Sequence, residues 1–156
     1  MRSKSITSWI AIADGAKARI FSSKGPRLHL ELVGELNSEK ARQRASDLTS
    51  DRQGRVQNRV GTGSAAMEAP TDPQAVEKTR FTRELVSYLE AADTRGDFDA
   101  LVLVAPPRTL GEVRKLLPGT LAEKVSHEVG KDLTNSPPKE VEEHLLPLEI
   151  GKPKLG

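Results

Sequence analysis

The longest unbroken run of apolar side chains covers residues 100–105. A short apolar run that includes β-branched residues is typical of a strand buried on both faces of a sheet. Pro106 and Pro107 end this run, because proline has no backbone N–H to donate to a neighbouring strand. Thr109 and Glu112 have the spacing of a capping box, which predicts a helix that begins at Thr109. The pattern therefore predicts a buried strand, a sharp turn and a crossover helix.

Three further strands are predicted near the start of the chain. Residues 8–13 and 18–22 are apolar or alternating, and they flank the turn dipeptide Asp14-Gly15, which is a hairpin signal. After a second turn at residues 24–26, leucines alternate with other residues over residues 28–33, which predicts a third strand with one face on the core. We expect these three strands to form an antiparallel meander.

The apolar pattern almost disappears between residues 37 and 71. The few apolar side chains in this segment are scattered, with no sustained period of two or 3.6 residues. Loops of this length are uncommon inside a compact domain and are usually either functional or without a fixed structure. We expect one long loop, with a short helical turn around residues 38–44.

A helix is predicted to follow directly. Asp72 is a suitable N-cap, and Pro73 takes the first helical position, where its missing N–H costs no hydrogen bond. Apolar residues then recur at intervals of three and four, which predicts a stripe facing the sheet. The stripe comprises Phe81, Leu85, Tyr88, Leu89 and Ala92. Residues 93–96 end the helix.

The last third of the chain adds one strand and one helix. Pro118-Gly119 ends the helix that begins at Thr109. Residues 121–129 fit either a helical or a strand spacing, and we favour a strand over residues 124–129 because a parallel strand follows a crossover helix. A final helix over residues 136–146 and a frayed tail at residues 151–156 complete the chain.

The predicted order is thus β-β-β-loop-α-β-α-β-α in a single domain over residues 1–150. Three antiparallel strands followed by two right-handed crossovers give an α/β fold, with a mixed five-stranded sheet and helices on its faces. This is the layout of the ribonuclease H-like architecture. A chain of 156 residues is long enough to bury the core of one such domain.

Composition narrows the possible chemistry. The chain has no cysteine, which excludes disulfides, a thiol nucleophile and thiolate metal ligands. Arg2 and Lys4 precede the apolar residues 9–13, but Asp14 ends that run well short of a signal-peptide core. No apolar run approaches the length of a membrane span. We therefore expect a cytoplasmic protein that has no membrane partner.

Positive charge is concentrated in the predicted loop. The whole chain has a net charge of +2, whereas residues 37–62 have six basic and three acidic side chains and so carry +3. Guanidinium groups match phosphate geometry, so the loop arginines are candidate RNA contacts, although a solvated loop without a ligand has the same composition. The candidates are Arg42, Arg44, Arg52, Arg55 and Arg59. Arg108 joins them because it stands at a predicted helix N-terminus, where free N–H groups favour anions.

Other catalytic arrangements have little support in the sequence. Asp14 ends the first predicted strand, but no carboxylate ends the central strand, so a two-metal nuclease is not expected. His29, His127 and His144 are isolated and have no metal-ligand or triad spacing. We expect neither a metal ion nor a cofactor.

Four stretches occur in a recognisable combination, at residues 9–14, 47–55, 101–111 and 131–134. They read Trp-Ile-Ala-Ile-Ala-Asp, Asp-Leu-Thr-Ser-Asp-Arg-Gln-Gly-Arg, Leu-Val-Leu-Val-Ala-Pro-Pro-Arg-Thr-Leu-Gly and Lys-Asp-Leu-Thr. In this order they resemble the bacterial family of host attachment proteins. That family is similar to the middle domain of archaeo-eukaryotic peptide-chain release factors. The resemblance implies a ribonuclease H-like fold and a partner such as tRNA or the ribosome.

In those release factors the loop after the third strand carries Gly-Gly-Gln, which assists hydrolysis of peptidyl-tRNA. The corresponding segment here contains Asp51-Arg52-Gln53-Gly54-Arg55, and the chain has no Gly-Gly-Gln. The leading hypothesis is therefore a non-enzymatic RNA- or ribosome-associated binding module. The alternatives are a hydrolase of peptidyl-tRNA or a related ester that uses Gln53, and a protein-interaction factor in attachment to host cells.

Overall fold

The computed structural model describes residues 5–38 and 73–151, which form a five-stranded sheet with helices on both faces. The elements in chain order are β1 (Thr7–Ala13), β2 (Lys17–Lys24), β3 (Glu31–Asn37), α1 (Pro73–Arg95), β4 (Ala100–Val104), α2 (Pro107–Leu116), α3 (Gly119–Ala122), β5 (Val125–Val129) and α4 (Pro138–Leu145). A 3-10 turn over Leu146–Leu148 follows α4. No helix in the described ranges is long and apolar enough to cross a membrane.

The strands lie in the order β3-β2-β1-β4-β5. β2 is antiparallel to both β1 and β3, whereas β4 is parallel to both β1 and β5. The predicted mixed sheet of ribonuclease H-like layout is therefore confirmed. Because β1, β3, β4 and β5 run in the same direction, all four end at one edge of the sheet. We call this the carboxyl edge, and the opposite one the amino edge.

Alternation along the strands divides the core into two layers. On one face, Trp9, Ala11, Leu101 and Leu103 pack against α1, α2 and α3. On the other, Ile10, Ile12, Val102 and Val104 pack against α4 and the residues around it. The predicted burial of β4 on both faces is confirmed, because its residues from Leu101 to Val104 are at most 2% exposed. Each such side chain stabilises the fold by about 1.5–3 kcal/mol relative to an exposed one.

The predicted stripe on α1 also faces the sheet. Phe81, Leu85, Leu89 and Ala92 are buried, and Tyr88 is half-buried. Tyr88 packs on Gly34 of β3 so closely that an added Cβ there would lie 2.2 Å from the tyrosine oxygen. The helix thus reaches over β3, and only glycine leaves room for that contact.

The bounds predicted for the third strand are wrong. β3 covers Glu31–Asn37 and not residues 28–33, because β2 continues to Lys24 and the chain needs more residues to turn back. Leu28 and Leu30 precede the strand and pack on the α4 side of the core, as their apolar character requires. Val33 is an extra residue at a bulge, since Leu32 pairs with Phe21 while Gly34 pairs with the neighbouring Ile20.

The predicted start of the crossover helix is also wrong. α2 begins at Pro107 with Pro106 as its N-cap, and no side-chain cap hydrogen bond forms. Proline at the first helical position is already in a helical φ, so the helix starts two residues before Thr109. The short helix α3 was not predicted, whereas β5 and α4 lie close to their predicted bounds. Asp72, the helical turn at residues 38–44 and the frayed tail beyond residue 151 lie outside the described residues.

Candidate functional site at the carboxyl edge

The sequence-predicted site residues divide into two groups. Arg108 is the second residue of α2 and is exposed at the carboxyl edge, as expected from its position after β4. The other predicted residues fall outside the described ranges, namely Arg42, Arg44, Arg52, Gln53, Arg55 and Arg59. The described part of the site is therefore the sheet edge from which that segment leaves.

Asp14 shapes the turn between β1 and β2. Its Oδ1 accepts hydrogen bonds from the backbone N–H groups of Ala16 and Lys17, both at 2.8 Å. This is the local hydrogen bonding by which aspartate stabilises tight turns. The prediction that Asp14 is a turn residue is therefore confirmed.

The second oxygen of Asp14 makes a long-range contact that the sequence did not predict. Oδ2 accepts a hydrogen bond from the Thr134 hydroxyl at 3.1 Å. The same hydroxyl also contacts Oδ1 of Asp132, which accepts the backbone N–H of Thr134 at 3.3 Å. Because Thr134 is fully buried, this link ties the loop after β5 to the turn after β1.

Arg19 on β2 makes two further hydrogen bonds to the loop after β5. Its Nη1 donates to the carbonyl oxygens of Thr134 at 3.2 Å and of Ser136 at 2.8 Å. The guanidinium carbon lies 5.0 Å from the centre of the Phe21 ring, within the range of a cation–π contact. We refer to Asp14, Arg19, Asp132 and Thr134 together as the edge clamp.

The hydrogen bonds of the edge clamp hold the turn after β1 and the loop after β5 together. Thr134 has one hydroxyl proton, which it shares between two carboxylate oxygens. Backbone N–H groups donate to both carboxylates as well. In the described ranges no three His, Asp or Glu side chains come close enough together to hold a metal ion. The signals in the sequence were Asp14 and the Lys-Asp-Leu-Thr motif, each at the end of a parallel strand.

Cationic side chains lie around the edge clamp. Lys131 follows β5 and is exposed, with its Nζ 3.3 Å from Nδ1 of His144. Lys78 of α1 passes so close to Gly15 that an added Cβ there would lie 2.8 Å from its side chain. Arg108 stands at the start of α2, whose own positive dipole end favours anions. These three cations give the carboxyl edge a positive character.

The chain between β3 and α1, which we call the basic segment because its residues 37–62 carry a net charge of +3, has both of its ends at this edge. Asn37 is the last residue of β3 and pairs with Lys17, and the N–H of Ser38 donates to the Ala16 carbonyl at 2.8 Å. The segment therefore leaves the sheet beside the Asp14 turn. It leads into α1, which begins at Pro73, and Lys78 one turn later contacts that same turn at Gly15.

Comparison with protein-family models gives a match over residues 9–145 to the family described as "Protein required for attachment to host cells". A search of curated proteins found no significant match. The match includes Asp14, Arg108, Asp132 and Thr134, so most of the carboxyl edge lies inside it.

Solved structures with a similar fold include one titled "Archaeal protein", with a TM-score of 0.50, 14% identity and coverage of 93% of this chain. The crystal structure of the archaeal translation termination factor aRF1 gives a TM-score of 0.47, also with 14% identity and 93% coverage. The chain spans 34% of the first protein and 41% of the second. At such identity, similarity bears on the fold alone.

Proposed function

The chain belongs to the family of proteins required for attachment to host cells, and we propose that it is a non-enzymatic RNA-binding module that associates with tRNA or the ribosome. In this proposal the arginines of the basic segment contact phosphates, and Arg108 adds a contact from the sheet edge. The proposal puts the protein in the cytoplasm, where tRNA and ribosomes are found.

The supporting observation is the shared position of the segment's ends and the cations of the carboxyl edge. Ser38 leaves the sheet at Ala16, and Lys78 contacts the adjacent Gly15. Arg108 and Lys131 are exposed at the same edge. Residues 37–62 carry a net charge of +3, and the chain enters this stretch beside the cations of the carboxyl edge; clustered positive charge attracts polyanions.

Arginine suits this role better than a general cation would. Its planar guanidinium donates paired hydrogen bonds that match the oxygens of a phosphate, and it stays charged at any physiological pH. The candidate contacts are Arg42, Arg44, Arg52, Arg55, Arg59 and Arg108. Phosphate contacts carry no base information, so we expect affinity for RNA with little sequence preference.

The test is binding of the purified protein to tRNA and to ribosomes over a range of salt concentrations. We expect affinity that falls steeply with salt, and a triple variant Arg52→Ala, Arg55→Ala and Arg59→Ala whose salt slope is smaller by about 2–3. Arg114→Ala is the matched control, because Arg114 is exposed but paired with Glu128, to which its Nε donates at 3.3 Å. That pairing also raises the pKa of Arg114.

Two other results would replace the proposal. Hydrolysis of peptidyl-tRNA by the wild type, lost in Gln53→Ala, would identify an ester hydrolase. Partners that remain after ribonuclease treatment of a pull-down, together with no binding to tRNA or ribosomes at low salt, would identify a protein-interaction factor. Salt-dependent binding that the triple variant weakens and Arg114→Ala does not would support the RNA-binding module.

A further inference from the structure

Lys78 lies on the sheet-facing side of α1. It precedes Phe81 by three residues and Leu85 by seven, so it shares their side of the helix. Thr82 follows one turn later on the same side, where it is 2% exposed, and its hydroxyl donates to the Lys78 carbonyl at 2.9 Å. Lys78 itself is exposed. A charged side chain therefore stands at the carboxyl-edge end of a mainly buried stripe.

The stem of Lys78 packs on Gly15, in the turn between β1 and β2. A Cβ added to Gly15 would lie 2.8 Å from Cδ of Lys78 and 2.9 Å from its Cγ and Cε, which is too close for ordinary contact. Lysine commonly places its apolar stem on the protein in this way and leaves its ammonium group in solvent. The turn therefore holds the stem of Lys78 while the charge remains accessible at the carboxyl edge.

Glycine at position 15 provides space and is not required by the backbone. The glycines with a positive φ in the described ranges do not include Gly15; they are Gly25, Gly96 and Gly151. An alanine would therefore adopt the same backbone conformation without strain. The atoms that its Cβ would meet belong to a flexible side chain, so Gly15→Ala should displace Lys78 and leave the turn in place.

The charge of Lys78 is not matched by any described carboxylate. The ion pairs among the described side chains join Arg95 to Asp97, Arg114 to Glu128 and Lys124 to Asp93. The carboxylate in the adjacent turn, that of Asp14, instead accepts hydrogen bonds from backbone N–H groups and from the Thr134 hydroxyl. An ammonium group held in one place and not neutralised by these carboxylates is suited to bind an anion.

We propose that Lys78 binds a backbone phosphate of tRNA at the carboxyl edge and that Gly15 is its positioning residue. This inference rests on the proposed function and adds one contact and its support to it. Holding a phosphate costs a lysine much of its rotamer freedom. Because contact with the turn already restricts the Lys78 stem, less of that freedom is lost on binding. The contact is a point charge on a phosphate and carries no base information.

The variant Lys78→Met separates the charge from the stem. Methionine keeps an unbranched apolar chain that can lie on Gly15, and it removes the ammonium group. We expect tRNA affinity at low salt to fall by roughly tenfold and the salt slope to fall by about 1. The midpoint of urea denaturation should stay the same. Lys24→Met is the matched control, because Lys24 is exposed at the amino edge, where β2 ends.

The variant Gly15→Ala tests the positioning role without changing the net charge. We expect tRNA affinity to fall by roughly threefold, because the displaced lysine must be ordered on binding. The urea midpoint should again stay the same. Added to Lys78→Met, the same change should cause no further loss of affinity, because the side chain it acts through is no longer charged. Gly119→Ala is the matched control, because an added Cβ there meets no atom within 4 Å.

Failure of this inference is distinguishable from failure of the proposed function. If the wild type does not bind tRNA at all, both are wrong. If the triple variant of the basic segment weakens tRNA binding and Lys78→Met does not, the proposed function stands and Lys78 is not an RNA contact. If Gly15→Ala weakens binding equally with and without Lys78→Met, Gly15 acts independently of Lys78 and does not position it.

Discussion

The two edges of the sheet differ in the partners of their charged side chains. At the amino edge, acidic and basic side chains are matched: Lys124 pairs with Asp93, and Arg95 pairs with Asp97 at 2.8 Å. The Asp99 carboxylate there accepts the backbone N–H of Thr7 at 2.9 Å. At the carboxyl edge, the Asp14 and Asp132 carboxylates bind backbone N–H groups and Thr134.

The consequence is a difference in the potential that each edge presents. The two ion pairs at the amino edge cancel at a distance, so the four side chains that form them contribute little to its potential. At the carboxyl edge the carboxylates accept from neutral donors, so no described carboxylate forms an ion pair with Arg108 or Lys131. We propose that the exposed cations of the carboxyl edge serve binding, whereas the edge clamp beside them and the ion pairs of the amino edge serve only the stability of the fold.

The largest expected effect comes from breaking the edge clamp with Thr134→Val. The hydroxyl is lost with little change in shape, and Asp14 and Asp132 lose a buried donor. We expect the free energy of unfolding to fall by about 2 kcal/mol, measured by urea denaturation. Thr94→Val is the matched control, because exposed Thr94 donates only to the Glu90 carbonyl of its own helix. An equal loss in both variants would show that the edge clamp adds no stability.

Charge reversal at the carboxyl edge tests its assignment to binding. Arg108→Glu should lower tRNA affinity about tenfold, or about 1.4 kcal/mol, because it replaces an attraction to phosphate with a repulsion. The folded state should not suffer, since a glutamate in the first turn of α2 interacts well with the helix dipole. Affinity is measured by filter binding at low salt and stability by urea denaturation. Unchanged affinity for tRNA would show that Arg108 is not part of the proposed interface.

Removal of one charge at the amino edge should lower the stability of the fold and leave the affinity for tRNA unchanged. Asp93 is mostly buried, with 13% of its side chain exposed, and Lys124 also lies 5.8 Å from the centre of the Phe98 ring. Asp93→Asn should lower the free energy of unfolding by about 1 kcal/mol at low salt, and by less at high salt. The tRNA affinity should stay the same. A loss of affinity as large as that of Arg108→Glu would contradict the division between the edges.

The smallest effect is expected from Arg95→Ala. The side chain is 57% exposed and its ion pair with Asp97 is open to solvent, so screening leaves little net stabilisation. We expect a loss of about 0.5 kcal/mol in thermal or urea unfolding and no change in tRNA binding. A loss above 2 kcal/mol would mean that the amino edge depends on its surface ion pairs.

Most of the fold could be predicted because its signals are local. The apolar run that forms β4 and the apolar stripe on α1 are each visible within one short stretch of sequence. Turn residues separate the two stretches. The bounds were less predictable where two local signals competed. Thr109 has the capping spacing, yet Pro107 starts the helix, and the alternating Leu28 and Leu30 lie outside the strand that their pattern predicts.

The candidate site was predictable only in part. The position of Arg108 follows from local rules, since a residue after a buried strand and at a helix start must lie at the strand's carboxyl end. The contact between Asp14 and Thr134 joins residues 120 positions apart, and the two local motifs that contain them do not indicate that they meet.

The sequence by itself determined the order of the strands and of every helix except α3, the family resemblance and the concentration of positive charge after β3. Each of these depends on side chains close together in the chain. Tertiary structure alone decided which charges are matched and which remain available to a partner. Strand direction brings the ends of β1, β3, β4 and β5 to one edge, and only there do Asp14 and Asp132 meet Thr134 while the neighbouring cations stay exposed.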